Sequence, residues 1–262
     1  MADIRKYETD IAIIGSGGAG MAAGIETRDA GGKAIAFEKA EDLGGAAIIS
    51  GGGCCIIGSP LQKEMGIEDN PDLAFNDWVK WGGPGTDVVW ARYYIEHTLH
   101  DLFHWAEKQG VKWVDMKPQE GNSVMRWTRP ERSGLGLMTN LIQSFRDKGG
   151  EIVNNTEITK IKMEGKRAVG FEGVNSETGE KIDVSCKTAI VTTGGFNSNI
   201  DMVLEARPEF KEYKVMEGSG RGSTGSGHKL VTDIGGYLTH MENVWFYVYA
   251  TPDYRDPGQK QI

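Results

Sequence analysis

The chain has 262 residues, 39% apolar and 25% charged, enough apolar matter for one large or two ordinary domains, which excludes disorder over most of it. A net charge of −8 argues against a general phosphate-backbone binder, so nucleic acid is not an expected partner. Glycine occurs 37 times, about twice the usual share of roughly 7%, with no Gly-X-Y period, so its local placement carries the argument.

Residues 9–38 run from an apolar stretch through a glycine cluster and a small-residue helical pattern to a second apolar stretch, which predicts strand, turn, helix and parallel strand. The first apolar run, residues 11–14, is too short for a signal core or a membrane span. Cys54, Cys55 and Cys186 make neither a disulfide framework nor a zinc spacing. A soluble protein of a reducing compartment follows, cytoplasmic by default unless an export signal has been removed.

Residues 72–110 turn helical and aromatic, broken by Gly82-Gly83-Pro84-Gly85, with Thr86 or Asp87 as cap and Ala91, Ile95, Leu99, Leu102 and Ala106 as apolar stripe. Within 66–150 a mostly helical insertion is expected, ending in a helix over 133–148 with Leu135, Met138, Leu141, Ile142 and Phe145 on one side. An antiparallel meander over 156–187 follows, its hairpins turning at Gly165 and Gly179, and then a separate strand over 189–192.

Gly15-x-Gly17-x-x-Gly20 directly follows a strand and opens a helix. Gly15 permits the tight turn, Gly17 the approach of backbone to a pyrophosphate, and Gly20 the close packing of helix on strand. The helix N-terminus adds N–H donors and partial positive charge. Glu38 ends the second strand, where a carboxylate accepts from ribose hydroxyls. The motif alone does not separate NAD from FAD, but the further runs Asp42-Leu43-Gly44-Gly45 and Ser50-Gly51-Gly52-Gly53 suit a more extended ligand.

The ordered motifs GSGGAG, FEKAEDLGG, ISGGG, VTTGGF and GSTGSGHKL resemble the FAD-binding region of the fumarate reductase, succinate dehydrogenase and 3-ketosteroid dehydrogenase flavoproteins over about residues 9–242. The resemblance implies a glutathione-reductase-type, Rossmann-like parallel α/β sheet with an antiparallel meander and a helical insertion. It implies FAD, with Gly15, Ser16, Gly17, Gly18, Ala19 and Gly20 at the pyrophosphate and Glu38 and Lys39 at the adenosine ribose. Gly44, Gly45, Ala46, Ser50, Gly51, Gly52 and Gly53 would lie on the flavin side and the Ile158 backbone against the adenine. Thr193, Gly194 and Gly195 would close over the cofactor, and Thr224, Gly225 and Gly227 match the family's T-G-D-G element.

Ala46 stands where many relatives have Ser or Thr, and Ser226 replaces the acid of T-G-D-G. No histidine precedes His97, so the flavin is expected to be non-covalent. Residues 1–245 correspond to the FAD-binding domain and 246–262, with Phe246, Tyr247 and Tyr249, to the start of a cap. The family's remaining cap and C-terminal segment find no match in these residues, and its catalytic groups come mainly from those parts, so no proton donor is assigned; the chain is expected to be an N-terminal fragment, to be completed by a partner chain, or to bind FAD without this catalysis. The implied reaction is hydride exchange between flavin N5 and a carbon beside a carbonyl or carboxylate of a small unsaturated substrate. The alternatives are a non-catalytic FAD-binding or electron-transfer subunit completed by a second chain, and a two-dinucleotide reductase.

Weaker signals are Arg126, Arg129 and Arg132 as anchors for an anionic substrate and the vicinal Cys54 and Cys55 as a redox pair. Further ones are Trp78, Trp81, Tyr93 and Tyr94 as an apolar entry, and His97, His100 and His104 on one helix face. A solvated turn or core packing accounts for most of these.

Overall fold

The computed structural model describes residues 4–213, 215, 222–245, 251–253 and 256–261. In chain order the elements are β1 (Ile4–Ile14), α1 (Gly18–Asp29), β2 (Ala34–Phe37), α2 (Gly45–Ile48), β3 (Cys54–Cys55), α3 (Pro60–Glu64), α4 (Pro71–Gly82) and α5 (Val88–His97). There follow a π-helical stretch (Thr98–His104), α6 (Trp105–Lys108), β4 (Trp113–Lys117), β5 (Trp127–Pro130) and α7 (Ser133–Asp147). The rest are β6 (Glu151–Val153), β7 (Thr156–Glu164), β8 (Arg167–Asn175), β9 (Lys181–Val191), α8 (Ile200–Ala206), α9 (Ser226–Thr232), β10 (Thr251–Asp253) and β11 (Asp256–Gln261). They form two compact units, one of residues 1–46 with 149–262 and one of residues 47–148.

The first unit is built on a six-stranded sheet in the order β6-β2-β1-β9-β8-β7. β6, β2, β1 and β9 run parallel, and β9, β8 and β7 form the antiparallel meander. The continuous apolar runs of β1 and β2 suit strands covered on both faces, and Ala12, Ile13, Ile35, Ala36 and Phe37 are at most 1% exposed. Ala12, Ile14, Ile35 and Phe37 share a core with Ile158, Ile161, Phe171, Ile182, Val184 and Leu230. Gly165 (φ +59°) and Gly179 (φ +72°) turn the two hairpins, as their left-handed backbone requires.

One expectation is corrected here. The segments 181–186 and 189–192 are not separate strands, because β9 runs unbroken through Lys187 and Thr188, the latter in register with Ile11 of β1. Nothing between them breaks an extended chain, and Lys187 is held by Asp10 of β1 at 2.7 Å.

In the second unit Asn70 caps α4 by accepting from the Asp72 and Leu73 amides, and Asp87 caps α5 by accepting from those of Val89 and Trp90. The helix does not keep its 3.6-residue period. The π-helical stretch after His97 advances the register, so that Thr98 and Phe103 are buried where Leu99 and Leu102 were expected, and these two are half-buried. On α7 the face of Met138, Leu141, Ile142 and Phe145 is buried as expected, but Leu135 is 44% exposed and Gly134 and Gly136 take the packed positions. Beside its helices this unit holds a small antiparallel sheet in the order β3-β5-β4. Among the described residues no helix is long and apolar enough to cross a membrane.

Candidate functional site

The turn between β1 and α1 separates its glycines by role. A Cβ on Gly15 (φ +103°) would lie 2.6 Å from the Thr192 carbonyl oxygen, and one on Gly20 would collide with the Gly15 carbonyl. Thr192 locks this contact by donating its hydroxyl to the Ile14 carbonyl at 2.8 Å. Gly15 and Gly20 are therefore demanded by packing of protein on protein.

Gly17 is different. A Cβ there would meet nothing within 4 Å, and its backbone (φ −69°, ψ −176°) is open to any residue. It stands at the N-terminus of α1, which has no side-chain cap and no acid in its first turn. The first intrahelical bond runs from the Met21 amide to the Gly17 carbonyl at 3.0 Å. The amides of Gly18, Ala19 and Gly20 thus precede the ladder, and an uncapped, acid-free helix end beside open space suits a phosphate group.

Glu38, 8% exposed, sits one strand away. Its Oε2 accepts from the Ser16 amide at 2.9 Å and the Ser16 hydroxyl at 2.8 Å, and its Oε1 accepts from the Ala40 amide at 3.0 Å. A carboxylate has about four acceptor positions, so Glu38 keeps one for an outside donor, on Oε1. The Gly44 amide donates to Ser16 Oγ at 3.0 Å. That amide is thus engaged within the protein.

The later motifs of this unit interlock. Lys39 Nζ donates to Thr224 Oγ1 at 2.8 Å, the Gly225 amide donates to the Gly195 carbonyl at 3.1 Å, and Gly227 packs against the Thr193 hydroxyl. Gly194 and Gly225 have left-handed backbones at φ +75° and +77°. Ser226, in place of the acid, is the first residue of α9. Ile158 faces the core from β7, the last strand of the sheet, opposite Gly173 of β8.

The Ser50 to Gly53 run and its surroundings belong to the second unit. Ser50 accepts from the Gly134 amide through its carbonyl at 3.0 Å, and its Oγ accepts from the Gly52 amide at 3.0 Å. A Cβ on Gly52 (φ +67°) would strike the start of α7, and one on Gly53 the Trp127 indole, so both serve packing. Gly51 alone of this run faces open space. In the first unit Gly45 and Ala46 are exposed.

Two of the three candidate arginines are engaged within the protein. Arg126, 1% exposed, grips both Asp69 oxygens at 2.8 Å and Asp77 Oδ2 at 2.6 Å. Arg129 forks onto Asp115 at 2.7 and 2.6 Å. These acids lie 57, 49 and 14 positions away, and nothing local in the sequence signals such distant contacts. Arg132 (φ +61°) precedes α7 as its cap residue. Cys54 and Cys55 are free thiols pushed up to about 11 by burial, poor candidates for a reactive thiolate.

Trp78 packs on Tyr94, whose hydroxyl donates to the Cys55 carbonyl at 3.0 Å, while Trp81 and Tyr93 are 62% and 51% exposed. His97, His100 and His104 each engage a neighbour on their own stretch: the Tyr93 carbonyl, Asp101 and Glu107. Among the described residues no three His, Cys, Asp or Glu side chains gather as a metal site. Phe246, Tyr247 and Tyr249 lie outside the described residues.

A family model described as "FAD binding domain" matches residues 10–260. NADH:fumarate oxidoreductase of Klebsiella pneumoniae (strain 342) is 30% identical over 245 residues, 92% of this chain and 26% of that protein. Urocanate reductase of Eggerthella lenta is 30% identical over 247 residues, 92% of this chain and 40% of that protein. The open conformation of a flavocytochrome c3 fumarate reductase superposes with a TM-score of 0.80 at 27% identity, over 87% of this chain and 41% of that one. The chain spans less than half the length of each.

Proposed function

The chain belongs to the FAD binding domain family, and from that premise we propose that it is the FAD-binding part of a flavin-dependent oxidoreductase acting on a carbon–carbon bond beside a carboxylate or carbonyl. The observation that carries the reading is the first turn: Gly17 open, the α1 N-terminus bare, and Glu38 one strand away with one acceptor position left. The amides of Gly17, Gly18 and Ala19 bind the diphosphate, and Glu38 Oε1 accepts one ribose hydroxyl. Lys39 and Thr224 flank that sugar, the Ile158 backbone meets the adenine, and Thr193, Gly194 and Gly195 with Gly225 and Gly227 wall the crevice. Gly45 and Ala46 border the flavin.

Bound FAD supplies hydride exchange at its N5. This chain's residues bind and orient it and keep the phosphates out of water. The likeness to a fumarate oxidoreductase and a urocanate reductase supports a small unsaturated carboxylate as substrate. Residues 1–245 constitute the binding domain, with 66–150 as insertion and 156–187 as meander, and 246–262 begin a substrate-covering segment. Free thiols at Cys54, Cys55 and Cys186 support the reading of a reducing compartment. A second reading, a FAD-binding subunit completed by another chain, is favoured by the exposed apolar side chains of Tyr237 (85%) and Leu238 (38%).

The test is the visible spectrum of the purified protein after incubation with FAD and gel filtration, followed by assay with a reduced viologen and fumarate or urocanate. Retained flavin at one per chain supports the site, and turnover supports the reaction. No retained flavin sinks the proposal; retained flavin without turnover leaves the subunit reading.

A further inference from the structure

We propose that Ser16 is a positioning residue that sets the second glycine run, and through it the isoalloxazine end of the dinucleotide. The inference rests on the FAD reading above. Ser16 is 0% exposed and stands between two partners of opposite need. The Gly44 N–H donates to its Oγ at 3.0 Å, and its O–H donates to Glu38 Oε2 at 2.8 Å. A hydroxyl has a single proton and the carboxylate oxygen only accepts, so the proton points to Glu38 and the lone pairs to Gly44.

The relay has a consequence for geometry. Gly44 has φ +99° and Gly45, the first residue of α2, φ +52°, so the chain turns in the left-handed region just where this short helix begins. A Cβ on Gly45 would come to 3.7 Å from the Gly17 Cα, which places the second run directly against the open glycine of the first. Removing the hydroxyl strips the buried Gly44 amide of its acceptor. Glu38, in contrast, keeps the Ser16 and Ala40 amides, at 2.9 and 3.0 Å, and with them its place beside the ribose. The effect of Ser16 therefore falls on the flavin half and not on the adenosine half.

Flavin-stripped wild type, Ser16→Ala and Ser16→Thr are titrated by calorimetry with FAD and with ADP. Ser16→Ala is expected to weaken FAD about tenfold, to leave ADP within about twofold, and to alter the visible circular dichroism of bound flavin. Ser16→Thr, which keeps the hydroxyl, is expected to recover most of the FAD affinity. Equal losses for both ligands, no loss at all, or no recovery with Thr would overturn the relay. Failure of wild type to bind FAD would sink the functional reading instead. Should Ser16→Ala not fold, amide hydrogen exchange on the wild type decides: slow exchange at Gly44 is expected, and exchange as fast as in an open loop overturns the proposal.

Discussion

Lys39 donates from Nζ to the Thr224 hydroxyl at 2.8 Å and so ties the end of β2 to a turn 185 positions further along the chain. The pair is exposed, so its net worth is about 0.5–1 kcal/mol. Lys39→Met and Thr224→Val should each speed FAD release a few-fold with little change in its capture. The double variant should be no faster than either single one, because both remove the same bond. Flavin fluorescence after dilution measures the rate, and additive effects would show that the two residues act separately.

The two kinds of glycine in the first turn should part under substitution. Gly20→Ala forces a methyl into the Gly15 carbonyl and should cost about 1–3 kcal/mol of stability. Gly17→Ala meets no protein atom and needs no unusual backbone, so stability should stay within about 0.5 kcal/mol while FAD affinity falls at least tenfold. Urea unfolding of the flavin-free proteins and FAD titration separate the two outcomes.

Arg126→Met should be among the most damaging changes in the second unit. It leaves Asp69, whose side chain is 0% exposed, and Asp77 without their cation. Removing one partner of such a buried pair costs about 3–5 kcal/mol. Chemical denaturation reads the loss, and a variant within about 1 kcal/mol of wild type would mean the cluster is far wetter than its geometry.

Acid should act through Asp77. Burial raises its pKa, but hydrogen bonds from the Ser123 amide and hydroxyl and from Arg126 outweigh this and hold it below the ordinary carboxylate value. With the folded value depressed, the stabilisation is fully present above the unfolded pKa of about 4 and is lost as pH falls through the folded one. Asp77→Asn should flatten that part of the stability profile below about pH 4 and lower the plateau above it.

Cys54 and Cys55 should resist alkylation. A thiol at about 11 is ionised to about one part in ten thousand at neutral pH, roughly two orders of magnitude less than a free cysteine. Iodoacetamide labelling followed by mass spectrometry tests this, and labelling at the rate of an exposed thiol would show that the burial is transient.

What could be read in advance was what depends on neighbours in sequence. β1, the glycine turn, α1 and β2 follow from an apolar run, left-handed positions and a second apolar run, and Gly165 and Gly179 mark their hairpins directly. What could not be read depends on partners far away. β3 has two residues, β5 four and β4 five, too short for an alternation to stand out in sequence, so only their mutual pairing makes them a sheet. The π-helical turn leaves no mark in the apolar spacing. In the site, Gly15, Gly17, Gly20 and Glu38 are legible as a motif, whereas the commitment of the Gly44 amide to Ser16 and of Arg126 to Asp69 and Asp77 rests on tertiary geometry.

The unbroken β9 has a bearing on how the protein acquires its shape. Strand β1 finds a neighbour in β2 early, but its other side stays bare until residues 181–191 emerge, so the crevice beside the first turn is closed by a partner as far away as Thr192, 178 positions after Ile14. Closing so long a loop is slow, and during that interval the nascent chain displays an apolar edge ready to pair with a stranger. Coenzyme present at that stage would have only half a cleft to enter, so its insertion is expected to follow the docking of β9 on β1.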